Sequence, residues 1–230
     1  MSNSLYWFTQ NFQDVPESDS WLSRGERDIV SAMRFPKRRN DWRLGRWTAK
    51  LAVCAYQMKE YCQLSSLEIR AAADGAPEAF WDDGSENVSV SISHSGDRSL
   101  CVVGPRNFAV GCDLEWIEPR EESLIQDYFT PEEIALSKKT PEAERDFVSN
   151  LIWSAKETTL KILREGLRRD TRSICVRPDL WGPKGAWNAW EGQCLESSRI
   201  FTGWWCCRDG FVYTLGSDLL TVPPKDIPLN

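Results

Sequence analysis

The sequence predicts an α+β protein, and three observations predict it. Residues 88–94 (Val-Ser-Val-Ser-Ile-Ser-His) alternate apolar and polar, as a half-buried strand does. Residues 39–59 and 143–164 carry apolar side chains at helical spacing. From residue 173 onward, short strand-like runs broken by Gly and Pro dominate.

Taken in order, residues 4–8 (Leu-Tyr-Trp-Phe-Thr) read as a first strand. Residues 18–34 open with Ser and Asp as cap candidates and place Trp21, Leu22, Ile29 and Met33 at helical spacing. The 39–59 helix buries Leu44, Trp47, Leu51, Tyr56 and Met58, while Arg39, Arg43, Arg46 and Lys50 fall on one face. Residues 73–87, rich in Gly, Pro and acids, read as loop. On the 88–94 strand, Val88, Val90, Ile92 and His94 share a face; residues 99–103 continue as strand into Gly104-Pro105, and 108–116 form the next one. Residues 121–128 read as helix. Thr130-Pro131-Glu132-Glu133 is a helix start, with Thr at N-cap, Pro at N1 and Glu at N3. The tail from Pro223 is expected to be poorly ordered, and no linker or internal sequence repeat is evident.

At 230 residues, with 41% hydrophobic and 27% charged residues, the chain has the composition of a soluble globular protein of one large or two small domains. No run of eighteen apolar residues exists, and the first basic residue is Arg24, so neither a membrane span nor a signal peptide is expected; the cytoplasm is the expected location. The eight Cys are scattered without a C-x-x-C, and His94 is the sole histidine, which argues against a structural zinc site and for reduced, mostly buried thiols. The net charge of −6 hides a window from Arg34 to Lys50 with seven basic residues against Asp41 alone. A local basic patch on an acidic chain points to a specific anion rather than to nucleic acid.

The chemistry concentrates in two acidic clusters. On a strand, Asp113 and Glu115 point the same way; on a helix, Glu157 and Lys161 do too. Packed together they would gather three carboxylates and an ammonium, a set suited to Mg²⁺ and a substrate phosphate, hence to phosphoryl-type transfer. Each pair has a plainer reading as solvated surface, but Val110, Leu114, Trp153 and Leu160 set the acids beside apolar anchors. His94 is either a satisfied, partly buried histidine or a donor to a phosphate oxygen; a serine hydrolase with His94 as base lacks a G-x-S-x-G elbow. Walker A and G-x-G-x-x-G loops are also absent. The Arg39/Arg43/Arg46/Lys50 stripe is either a solvated face or a phosphomonoester site.

Ser91-Ile92-Ser93-His94-Ser95, Gly111-Cys112-Asp113-Leu114-Glu115 and Trp153-Ser154-Ala155-Lys156-Glu157-Thr158-Thr159-Leu160-Lys161 occur in this order. The order and spacing resemble the surfactin-type 4′-phosphopantetheinyl transferases, whose signatures are G-[IV]-D-x-E and W-x-x-K-E-[AS]-x-x-K after a serine-rich S-H-S strand. The Gly45-Arg46 helix and Phe129-Thr130-Pro131-Glu132-Glu133 also look like family features, and the resemblance covers roughly residues 20–180. Cys112 and Thr158 depart from the usual residues, and the basic helix differs more.

The resemblance implies a pseudo-twofold α+β protein of two similar halves, residues 1–109 and 110–230, with the active site between them. It implies an enzyme, a holo-[carrier protein] synthase. Such an enzyme moves 4′-phosphopantetheine from coenzyme A to a serine of an apo acyl or peptidyl carrier protein, releasing adenosine 3′,5′-bisphosphate. The carrier would serve fatty acid, polyketide or nonribosomal peptide synthesis. In the implied roles, Asp113, Glu115 and Glu157 hold Mg²⁺, Lys161 and His94 contact the pyrophosphate with Ser93 or Ser95 nearby, and Glu157, directly or through a metal-bound water, is the candidate base. Lys37, Arg38 and Arg39, with Arg46, are candidates for the 3′-phosphate, and Lys156 either binds substrate or pairs with an acid. A monomer is implied, with no nucleic acid or membrane partner. Two other readings remain: a module that binds coenzyme A or a carrier without transfer, and an unrelated Mg²⁺-dependent phosphohydrolase.

Overall fold

The computed structural model describes residues 4–84 and 88–227. Two compact units divide between Phe108 and Ala109. The N-terminal unit also takes in the chain from Lys225 onward.

The N-terminal unit opens with β1 (Ser4–Asn11), followed by α1 (Arg24–Ser31) and the 21-residue α2 (Pro36–Tyr56). The strands β2 (Leu67–Ala71), β3 (Pro77–Trp81), β4 (Val88–Ser95) and β5 (Arg98–Pro105) follow. β1, β5 and β4 are sheet neighbours in that order; β11 (Val222–Asp226) adds at the β1 edge, and β2 pairs with β3. The core gathers Ala52, Val53, Leu67, Cys101 and Val103 from α2 and the strands around it, with Leu22 from the turn before α1. Two expectations fail here. The 73–87 stretch contains β3, whose Ala79 and Trp81 are buried against the core; residues 85–87 of that stretch lie outside the described residues. The tail forms β11, and the Ile227 N–H donates to the Trp7 carbonyl at 3.0 Å, because buried Ile227 carries enough apolar surface to anchor it.

The C-terminal unit follows a related path, strand then helices then four strands, with one more helix and a single five-stranded sheet. β6 (Val110–Trp116) leads to α3 (Glu122–Tyr128), α4 (Pro131–Lys139) and the 21-residue α5 (Glu142–Ile162). Then come β7 (Ile174–Pro178), β8 (Asn188–Cys194), β9 (Ile200–Arg208) and β10 (Phe211–Ser217), in the sheet order β6-β10-β9-β8-β7. The first strand pairs with the last strand of its unit in both cases, β1 with β5 and β6 with β10. Leu151, Ile152, Ala155 and Leu160 of α5 pack on Ile174, Val176, Trp205 and Val212.

The likeness of the units reaches single residues. Each has a capping box, Ser23 with Glu26 and Thr130 with Glu133, 107 residues apart. Each long helix carries a W-[ST]-A-K run, Trp47-Thr48-Ala49-Lys50 and Trp153-Ser154-Ala155-Lys156, 106 apart. Lys50 and Lys156 are both fully buried. Lys50 pairs with Glu26 and donates to the Trp21 and Leu64 carbonyls. Lys156 pairs with Glu133 at 2.8 Å and donates to the Thr171 and Ile174 carbonyls. The other oxygen of each glutamate accepts a strand N–H, from Ile69 at 3.0 Å and Val176 at 2.7 Å. A buried charge is tolerated only when paired and hydrogen-bonded all round, so the same solution used twice ties helix, cap and strand together in each unit. The repeat is in the sequence after all, but only a handful of residues carry it.

Candidate active site

In the C-terminal unit the motif residues converge where β6 passes under α5. Gly111 is what lets them: a Cβ there would lie 2.2 Å from the Thr158 carbonyl oxygen and 2.9 Å from the Ile162 side chain. Only glycine allows this backbone approach. Register places Asp113 opposite Thr214 of β10. The Thr214 hydroxyl meets those of Ser154 (2.8 Å) and Thr158 (2.7 Å). Thr158, the departure from the family pattern, therefore joins helix to sheet.

Asp113 is buried, and its Oδ1 accepts from Lys161 Nζ at 2.9 Å; the same ammonium donates to the Cys112 carbonyl at 2.9 Å. Burial alone would pull the Lys161 ammonium down, but Asp113, Cys112 and Glu157 outweigh it and hold the lysine above its ordinary value. Glu157 Oε1 is buried and meets no hydrogen-bond partner among the described residues. Burial, then the charge of Asp113, push the Glu157 carboxyl up, against the opposing pull of Lys161.

Glu115 is placed differently from expectation. Its Oε2 accepts from Arg120 Nη2 at 2.7 Å and its Oε1 from the Trp153 indole N–H at 2.9 Å. Among the described residues no three His, Cys, Asp or Glu side chains are grouped to hold one metal ion. Burial, then Asp113, still push Glu115 up to about 7 despite Arg120 and Trp153. The sequence offered Trp153 only as an apolar anchor and did not suggest Arg120, which no spacing ties to Glu115.

Lys156 is corrected outright. It has no exposed surface and spends its charge on Glu133 and two carbonyls, so it cannot reach a substrate. Of its two expected alternatives, pairing with an acid is the one found.

The N-terminal unit holds a cleft of about 600 Å³ lined by Lys37, Arg38, Asp41, Trp42, Arg46 and His94, with Phe35, Gly45 and Ile92 among the apolar wall residues. α2 starts at its rim with Pro36 at N1 and no side chain capping the first turn. Uncapped N–H groups, the positive end of the helix dipole and two basic side chains together favour an anion. The Arg46 guanidinium lies 4.6 Å from the Trp42 ring, and its buried Nε meets no hydrogen-bond partner among the described residues. Burial lowers the Arg46 pKa, with Glu26 opposing. His94 is half exposed, its Nε2 3.9 Å from Asp41 Oδ2.

Three candidates drop away from this cleft. Arg39 is exposed and does not line it. Ser93 is buried, as strand alternation requires when Ile92 and His94 line the cleft at either side of it. The basic stripe is not a continuous anion site either. Lys50 is clamped on Glu26, and Arg43 pairs with Asp19 at 2.9 Å and donates to the Pro16 and Glu17 carbonyls. Both turn inward because α2 is covered along that face.

The C-terminal unit thus sets Asp113 and Glu157 about one ammonium, Lys161, and the N-terminal unit separately holds a cleft suited to an anion. Residues 109–187, which contain the whole cluster, match the family model described as the 4′-phosphopantetheinyl transferase superfamily. The chain is 26% identical over 166 residues to the 4′-phosphopantetheinyl transferase HetI of Nostoc sp. strain PCC 7120, covering 68% of this chain and 67% of that protein. It is 33% identical over 92 residues to a 4′-phosphopantetheinyl transferase of Bacillus subtilis, 40% of each. A crystal structure of holo-[acyl-carrier-protein] synthase from Neisseria meningitidis aligns with a TM-score of 0.37 at 18% identity, covering 46% of this chain and all of that one.

Proposed function

We propose that the protein is a 4′-phosphopantetheinyl transferase of the surfactin type, moving 4′-phosphopantetheine from coenzyme A to a serine of an apo carrier protein. The carrying observation is the contact of Lys161 with Asp113 beside the orphaned Glu157 oxygen, inside the segment that matches the superfamily. The surfactin-type reading is supported by two α+β units in one chain, each with a capping box and a W-[ST]-A-K run on its long helix.

The donor set fits a hard divalent cation: hard oxygen ligands, mutual repulsion between carboxylates, and one buried oxygen without a partner. Asp113 and Glu157 would hold Mg²⁺, which when bound offsets charge on the pyrophosphate of coenzyme A. Lys161, already a cation at this point, offers a second positive charge to a pyrophosphate oxygen. The carrier serine Oγ attacks the β-phosphorus, and the bond from that phosphorus to the bridging oxygen breaks. Adenosine 3′,5′-bisphosphate leaves with the bond's electron pair, and the serine proton passes to a Glu157 oxygen. A carboxyl raised by burial is better matched to that proton than an exposed one. Within the N-terminal unit by itself, the cleft with Lys37, Arg38 and the α2 N-terminus suits a phosphate monoester such as the nucleotide's 3′-phosphate, with Arg46 and Trp42 as its wall and His94 as a further donor.

Intact mass spectrometry of an apo carrier protein incubated with coenzyme A, Mg²⁺ and the protein tests this. A gain of one phosphopantetheine, lost with EDTA and with Asp113→Ala, is the expected result. No gain across acyl, peptidyl and aryl carriers would refute the transferase. Adenosine bisphosphate released without any carrier would instead favour a phosphohydrolase.

A further inference from the structure

We propose that Arg120 keeps Glu115 out of the cation site, so that Asp113 and Glu157 are the only carboxylates this chain gives to a bound divalent cation. The inference rests on the functional reading above for the identity of the cation, and on geometry for the rest.

Both Glu115 oxygens are spoken for. One faces Arg120 Nη2 at 2.7 Å, the other the Trp153 indole N–H at 2.9 Å. Arg120 is itself fixed at its other end, where Nε donates to Asn150 Oδ1 at 2.8 Å. Asn150 is fully buried, and its amide donates to the Glu118 and Asp146 carbonyls at 2.7 and 2.8 Å. The guanidinium also lies 5.8 Å from the Trp153 ring centre. Arg120 and Glu115 side chains are only 13% and 21% exposed, so water screens the pair weakly.

Charge balance points the same way. Three carboxylates face two protein cations, Lys161 on Asp113 and Arg120 on Glu115. Drawing Glu115 to a metal would leave Arg120 with its charge uncompensated beside a buried asparagine, the costly half of breaking a partly buried pair. Glu157 Oε1 has no such partner to give up. Arg120 is therefore a positioning residue: it acts on the cation through Glu115.

The test is Mn²⁺ affinity of the full chain, read by electron paramagnetic resonance without coenzyme A or carrier. Asp113→Asn and Glu157→Gln should each weaken binding about tenfold or more, and Glu115→Gln by less than about threefold, since a ligand lost costs more than a bystander. Arg120→Gln should free Glu115 and tighten binding several-fold, and adding Glu115→Gln to it should abolish that gain, the signature of coupled neighbours. Trp153→Phe, which removes only the other donor, should tighten binding to a lesser degree and serves if Arg120→Gln does not fold. A tenfold loss in Glu115→Gln, no tightening in Arg120→Gln or Trp153→Phe, or no Mn²⁺ binding by the wild type would overturn the proposal. Carrier modification by the wild type, measured separately, reports on the transferase reading alone.

Discussion

Replacing Lys156 by methionine isolates the clamp that each unit uses. Methionine keeps the length and apolar stem of the side chain and removes the charge. What remains is Glu133, 1% exposed, with the Thr130 and Val176 N–H groups as its donors and no counter-ion. Removing one partner of a buried pair costs about 3–5 kcal/mol. The Thr171 and Ile174 carbonyls also lose their donor. At a urea slope of about 2.5 kcal/mol/M, a loss of about 4 kcal/mol moves the unfolding midpoint down by about 1.6 M. Tryptophan fluorescence reads it, as the chain has twelve. The loss should depend on pH. Burial already raises the Glu133 carboxyl, and Lys156 is the main group opposing it; without the lysine it rises further. The folded variant then keeps a proton that the unfolded chain releases in its ordinary carboxyl range, so its stability falls as pH rises above that range. The deficit against wild type is therefore larger at pH 8 than at pH 5. A shift under about 1 kcal/mol at pH 8, or an opposite pH trend, would refute the clamp.

Four further outcomes are expected. Asp113→Ala should abolish carrier modification while leaving the far-ultraviolet dichroism unchanged; near wild-type turnover would displace the cluster from the chemistry. Arg38→Ala should raise the coenzyme A KM at least about tenfold with kcat little changed, as a remote phosphate contact binds ground and transition states alike; an unchanged KM would move the phosphate elsewhere. Gly111→Ala should destabilise by about 1–3 kcal/mol, because its methyl meets the Thr158 carbonyl and the backbone must shift; thermal unfolding at wild-type temperature would contradict the close approach. Glu115, raised to about 7 by burial and Asp113, binds a proton when folded that the unfolded chain lacks between its ordinary 4.5 and 7. Stability should thus decline as pH rises through that window, and Glu115→Gln should flatten the decline in a urea series.

The sequence by itself determined the α+β class and most of its elements, though not β3 or β11. Strand alternation and helical spacing carried the α+β class, because burial of one face leaves a period in the chain. The capping box at Thr130 was read to the residue, since an N-cap is a local interaction. That Asp113, Glu157 and Lys161 come together was legible because strand and helix periods put them on single faces beside apolar anchors.

What only the tertiary structure decided is which charges face inward. Lys50, Lys156 and Arg43 look like their exposed neighbours along a helix, and their partners Glu26, Glu133 and Asp19 lie between 23 and 24 residues away on other elements. Helical spacing says which side chains share a face but not what covers it. The same holds for Glu115, whose fate turns on Arg120 and a tryptophan 38 residues further on. Ser93 and His94, adjacent in sequence, part company because a strand sends neighbours to opposite sides, and only the packing of the sheet says which side is the cleft.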